Sequence, residues 1–208
     1  MHPNPAFRAT PEAHARAFAA TRSFGLLTAA GKQGPLASHV PFLLDGDQVE
    51  AHLVRATPLA RALSGGPLAA LLVVSGPDGY VSPDWYGEPD KVPTWNYVAV
   101  HLAGHLALAD ADSLHGHLER LSARFEAELA PKPAWTHHKM TPGVMERMMR
   151  AIVPVTMTVT GVESTFKLNQ NRAPAARRGA ADHLAAGTTP GTETAALADL
   201  MRAVEDGD

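Results

Sequence analysis

The chain has 208 residues, 45% of them hydrophobic, enough for the core of one domain or of one domain with appendages. No run of about 18 apolar residues occurs, so no membrane-spanning helix is expected. Cysteine is absent and the formal net charge is -3, which excludes disulfide and thiolate chemistry and leaves no overall basic footprint for nucleic acid.

The start, Met1-His2-Pro3-Asn4-Pro5, lacks the basic and apolar regions of a secretion signal, so a cytoplasmic protein is expected. Thr10-Pro11-Glu12 predicts a helix start, with Thr10 as cap and Pro11 where no N–H is needed. Residues 24–30, 35–44 and 48–54 alternate and are separated by the turns Gly31-Lys32-Gln33-Gly34 and Asp45-Gly46-Asp47, which predicts an antiparallel meander. Thr57-Pro58 opens a short helix that Gly65-Gly66-Pro67 ends. Leu68 to Ser75 reads as a central strand, followed by extended segments at 79–82 and 95–109. Gly104 marks a bulge or bend in the last of these. Leu114, Leu118, Leu121, Phe125 and Leu129 form one helical stripe that Pro131 and Pro133 stop. A second helix runs from Pro142 to about Ala151, and residues 154–163 alternate again. Residues 173–208, rich in Ala, Gly and Thr, predict one or two peripheral helices with a loose end.

These elements describe a mainly β, α+β fold: a six-stranded antiparallel barrel with peripheral helices. Residues 1–172 form the barrel domain and 173–208 a helical C-terminal appendage.

Five separated segments carry a family resemblance: Pro41-Phe42-Leu43-Leu44-Asp45, His52 to Pro58, Tyr80 to Tyr86, Val92-Pro93-Thr94-Trp95-Asn96-Tyr97 and Phe166 to Arg172. In that order they resemble the PaiB family of FMN-binding split-barrel proteins, described as negative transcriptional regulators. Typical members have Asn at the position of Thr57 and Ser at that of Asn169. The resemblance implies a split β-barrel homodimer with FMN near the subunit interface, and DNA as a partner.

FMN asks for donors around a dianionic phosphate and for apolar faces with polar groups at the edge of a flat ring. Arg55 and Thr57 suit the phosphate, beside the partial positive charge of the following helix N-terminus; as an ordinary pair they would be an ion-pair partner and a helix cap. Ser38, His39 and Val40 lie on the strand that runs beside the ring in related barrels, with Ser38 and Val40 on one face. Lys167, Gln170, Asn171 and Arg172 place four donor-rich side chains within six positions, suited to a phosphate, a ring edge or a second anion. Asn96 would meet the ligand, while Trp95 and Tyr97 either wall the cavity or pack a core or dimer contact.

Eleven histidines are many for this length. His101 and His105 share a strand face, His115 and His117 read as exposed, and His137-His138 as a solvated loop. His39 and His52 could face a ligand. No recognisable zinc spacing is present, so no metal is expected. No nucleophile elbow, phosphate loop or carboxylate pair stands out, so any chemistry belongs to the flavin. Three functions follow: a flavin-binding regulator, although no helix-turn-helix is visible; an FMN-dependent oxidoreductase using a nicotinamide reductant; or a haem-binding barrel.

Overall fold

Alternating burial and tight turns build the first sheet. In the computed structural model, which describes residues 1–205, β1 (Phe24–Gly31), β2 (Gly34–Asp45) and β3 (Gln48–Val54) form the expected meander. Gly46 takes φ +54°, which the two-residue turn between Asp45 and Gln48 requires and a side chain would resist. Thr57 then caps α2 (Pro58–Leu63).

β4 (Leu68–Val81) joins two segments that the sequence separates at Gly76-Pro77-Asp78. That tripeptide looks like a turn, but Asp78 and Gly79 pair with Thr192 and Gly191 of β7 (Gly191–Thr192), and the distant partner keeps the chain extended. β5 (Thr94–Leu108) and β6 (Ile152–Lys167) are the other long strands. The sheet order is β1-β2-β3-β6-β5-β4-β7, and β1 also pairs with β4 from Leu26↔Val73 to Ala29↔Ala70, so six antiparallel strands close a ring. The remaining helices are α1 (Glu12–Arg22), α3 (Ser113–Glu126), α4 (Val144–Met149), α5 (Pro174–Ala185) and α6 (Thr194–Arg202).

By its internal contacts the chain forms two compact units, through both of which β4, β5 and β6 run. The barrel unit comprises Ala17–Val74 and His101–Val162. Leu27, Val40, Val49, Leu72, Leu106 and Met157 fill its interior and leave no room for a water molecule. Each such side chain contributes roughly 1.5–3 kcal/mol by leaving water. Gly104 lies where the sequence marks a bend: a Cβ there would stand 2.1 Å from the Thr158 carbonyl oxygen, so β5 and β6 approach closely only because it has none.

The second, helical unit comprises Met1–Arg16, Ser75–Val100 and, of the described residues, 163–205. The stretch expected as an appendage thus supplies α5 and α6 to a unit that includes the N-terminus. Small residues let the helices close together: Ala180, Ala181 and Ala198 are fully buried beside Leu184, Leu197 and Met201. Gly79 lies against Leu184 and Leu197, with no space for a Cβ. The loose end expected of the chain falls on residues 206–208, outside the described residues.

Candidate cofactor site

The packed cluster inside the barrel has no room for a ligand, whereas the outer surface of β2 offers one a place. It pairs with β1 from Gly34 to Pro41, but with β3 only from Phe42 to Asp45. Ser38, His39 and Val40 therefore have a strand on one edge and, among the described residues, none on the other. Backbone N–H and C=O groups on that edge have no strand partner among the described residues, and such groups are what the polar rim of a flat ring needs. Val40 points into the core, Ser38 is half-buried, and exposed His39 stacks on Phe24 with centroids 6.2 Å apart. Between β1, the start of β2 and the start of β4 lies an open groove of about 600 Å³, lined by small and apolar residues from Thr28 to Gly31 and Ala69 to Leu71.

Arg55 follows β3 and is exposed. Its Nε donates to the Arg150 carbonyl and Nη2 to the Ile152 carbonyl, both at 3.0 Å. A guanidinium has five N–H donors. Two are spent on bracing, and the rest have no protein partner among the described residues. Arg55 is thus a fixed cation with unused donors and no carboxylate, the set an anionic phosphate takes. Thr57 is less available. Its hydroxyl donates to the Val54 carbonyl at 2.8 Å and accepts from the Ala60 N–H at 3.3 Å, so its cap role already uses it.

The helical unit gathers the C-terminal set. Lys167 ends β6; its Nζ donates to Thr94 Oγ1 and, at 2.8 Å, to the Trp95 carbonyl, and lies 5.9 Å from the centre of the Phe7 ring. Arg172 lies 5.1 Å from the centre of the Tyr86 ring. Burial, and then the Arg172 charge, lower the Lys167 pKa. Neither cation has a carboxylate partner among the described residues. Gln170 is occupied structurally: its Oε1 accepts from the Leu168 N–H, and its Nε2 donates to the Ala6 and Phe166 carbonyls. It ties the N-terminal turn to the loop after β6. Asn171 is exposed. Asn169, at φ +61°, turns the chain and donates to the Tyr86 hydroxyl, which accounts for an amide at this position. Asn96 is completely buried; its Nδ2 meets Met201 Sδ at 3.4 Å while its Oδ1 has no partner among the described residues. Trp95 is 47% exposed and packs edge-on to Tyr80.

Sequence reading missed one polar group in the barrel unit. His117, expected to be exposed, is only 2% exposed because it occupies the buried stripe of α3 between Leu114 and Leu121. Its Nε2 lies 3.2 Å from His52 Nδ1, and its Nδ1 lies 3.6 Å from Glu50, too long for a hydrogen bond. Arg120 binds the same Glu50 oxygen at 2.5 Å. Burial holds both imidazoles below their ordinary pKa, with His52 adding to the shift of His117; the Arg120 hydrogen bond holds Glu50 low. The detectable signal was the spacing of His117 three residues after Leu114 and four before Leu121.

Comparison with known proteins shows the family to which the chain belongs. Residues 1–161 match the family described as "Putative FMN-binding domain". The chain belongs to this FMN-binding family. It is also 28% identical over 159 residues to the protease synthase and sporulation protein PAI 2 of Bacillus subtilis, covering 74% of this chain and 75% of that protein, in agreement with the PaiB resemblance of its five motifs. FMN is therefore the family's ligand, and the open β2 edge and braced Arg55 fit its two ends chemically. The same fold occurs in the FAD and heme binding protein from Mycobacterium smegmatis, with a TM-score of 0.56, 19% identity and coverage of 77% of this chain and 73% of that one. The flavocytochrome Anf3 from Azotobacter vinelandii has a TM-score of 0.59, 17% identity and coverage of 77% and 69%. At these identities the likeness concerns the fold. Lys167 to Arg172 lie beyond the span matched by the family.

Proposed function

We propose that the protein is a cytoplasmic, homodimeric FMN-binding regulator of the PaiB type, with the ring edge on Ser38–Val40 and the phosphate on Arg55. The observation that carries this reading is the edge of β2 at Ser38–Val40, unpaired among the described residues, outside a packed apolar core. FMN, when bound, supplies reversible one- and two-electron transfer. The chain's part is to bind and orient. The backbone of Ser38–Val40 offers donors and acceptors at fixed spacing. Arg55 offers a guanidinium whose rotation is already restricted by two carbonyls, so little side-chain entropy is lost on binding. Lys167 and Arg172 form a further anion-binding corner. Asn96 enters this reading as a buried amide whose Oδ1 has no partner among the described residues.

The regulatory output is supported by the relative named for protease synthase and sporulation. Direct DNA contact would need exposed basic side chains on one face; Arg177 is only 2% exposed and donates to the Val204 carbonyl, so it is not one of them. Arg147, Arg150 and Arg178 are exposed. The test begins with the visible spectrum of the purified protein with added FMN. A flavin band that survives gel filtration is expected; a protein that takes up no FMN overturns the reading. Retarded migration of promoter DNA at low salt, weakening as salt rises, is expected of direct regulation. No retardation at low salt overturns the DNA-binding role. Anaerobic bleaching of the flavin by NADH or NADPH would shift the output to reductase chemistry.

A further inference from the structure

We propose that His115, Glu119 and His137 form a binding site for one divalent transition-metal ion of the zinc class, and that the ion clamps the segment around His137 onto α3. The sequence showed no zinc spacing because the three residues come from two places. His115 and Glu119 are one helical turn apart on α3, so their side chains project from the same face. His137 arrives from the segment beyond Pro131 and Pro133, and only the fold brings it to that face.

Each oxygen of the Glu119 carboxylate faces one imidazole, and the one facing His137 is within hydrogen-bond distance. His137 Nδ1 lies 3.0 Å from Glu119 Oε1, and His115 Nδ1 lies 3.6 Å from Glu119 Oε2. The two rings meet edge to face with centroids 4.9 Å apart. One ligand atom from each residue lies within 4.8 Å of the others. A tetrahedral ion with bonds of about 2.0–2.2 Å spaces its ligand atoms by roughly 3.4 Å, so small side-chain rotations close the set. None of the three is deeply buried, with side chains 41%, 48% and 23% exposed, so an ion reaches them without unfolding.

The donor set selects the ion. Two imidazole nitrogens and one carboxylate suit zinc, cobalt, nickel or copper, and disfavour magnesium and calcium, which prefer oxygen. Three protein ligands leave a position open to water. Beside it lies a largely apolar cavity of about 220 Å³ whose lining includes Glu119, His137, Trp135, Leu118 and Met145. Without metal, the segment is attached to α3 by Glu126, which pairs with Lys132 and accepts from the Trp135 N–H at 2.7 Å. Just beyond it the surface His137–Glu119 contact is a second, weaker attachment, which a shared metal ion would strengthen.

The test uses the full, tag-free chain after chelator treatment, titrated calorimetrically with zinc and, in parallel, with cobalt followed by visible absorption. One ion per chain is expected, with micromolar or tighter affinity for zinc and no uptake of magnesium. Glu119→Gln and His137→Ala should each weaken zinc binding at least tenfold, while His183→Ala should not change it. Thermal melts of the metal-free variants should match wild type, because all three groups are at the surface. Zinc should also slow trypsin cleavage after Lys139 in wild type but not in His137→Ala. A wild-type chain that takes up no zinc, or variants that bind it as wild type does, overturns the site. Stoichiometric binding with unchanged cleavage at Lys139 overturns the clamp.

Discussion

The barrel interior and the corner around Lys167 solve opposite problems. The interior is apolar, fully packed and intolerant of one extra carbon at Gly104. The corner holds a half-buried ammonium among Phe7, Thr94 and Trp95, with Arg172 as a second cation and no carboxylate partner among the described residues. The first arrangement makes stability from contact alone. The second has a desolvation cost that hydrogen bonds to Thr94 and Trp95 offset only in part. A fold keeps such a corner at a site that expects an anion more readily than at one that serves packing, and Arg55 in the barrel unit shows the same unpaired character at the surface.

The sharpest way to break this contrast is on the packing side. Gly104→Ala should destabilise the protein by about 3 kcal/mol or more, because the new Cβ meets backbone that can only move by opening the contact between β5 and β6. Urea unfolding measures it, and a near-neutral result would mean that β5 and β6 separate easily. The next effect is on binding. Arg55→Ala should weaken FMN by about 2 kcal/mol, roughly thirtyfold in Kd, as expected for losing a charged hydrogen-bond donor. Flavin-fluorescence titration reads it. Arg55→Lys should recover little, since a lysine cannot brace against two carbonyls and still offer a fork. Wild-type affinity in both variants would place the phosphate elsewhere.

The barrel was legible because its signals are local. Alternation, two short turns and the Thr57-Pro58 cap fixed β1 to α2 nearly to the residue. Legibility failed where a distant partner decides. Gly76-Pro77-Asp78 stays extended because of β7, more than a hundred residues later. His117 is buried because of its position in a stripe, which a polarity-based reading overlooks. The candidate site was legible by residue type more than by role. Arg55, Lys167 and Arg172 keep donors or charge to offer a ligand. Gln170 and Thr57 were also plausible ligand groups, yet each spends its polar atoms on backbone near it in space. Asn96 was expected to meet the ligand, and its amide is buried against Met201. Hydrogen-bond commitment of this kind has no sequence pattern.

A smaller effect tests whether the Lys167 corner takes an anion. A lysine whose pKa is lowered by folding binds its proton less well in the native state than in the unfolded one. Stability should therefore rise with pH between the folded value and the ordinary lysine value. An anion bound at the corner favours the charged form and should flatten that rise. The prediction is an alkaline increase in Tm in chloride that phosphate abolishes, with neither behaviour in Lys167→Met. Because the ammonium is only partly buried, the shift is modest. Equal slopes in chloride and phosphate would show that the corner is a packing feature like the barrel.

The smallest effect separates burial from charge within the barrel unit itself. His52 faces His117, and beyond it stand Glu50 and Arg120. Burial lowers the His52 pKa, so as pH falls the unfolded chain takes up its proton first, and stability declines from the ordinary imidazole range, about 6.5, downward. The Glu50 contribution has the same sign but appears later. Its carboxylate is held low by Arg120, so that stability is present above the ordinary carboxylate range and is lost only as pH falls through the lowered value. His52→Gln keeps a hydrogen-bonding partner for His117 but cannot take a proton. It should reduce the decline between neutral pH and about 5 while leaving the later, carboxylate-driven loss in place. Unfolding free energies from urea at a series of pH values would show the two limbs. If His52→Gln leaves the upper limb intact, the titrating group there is His117, and the pair must be treated as one proton-binding unit rather than as a lone histidine between β3 and α3.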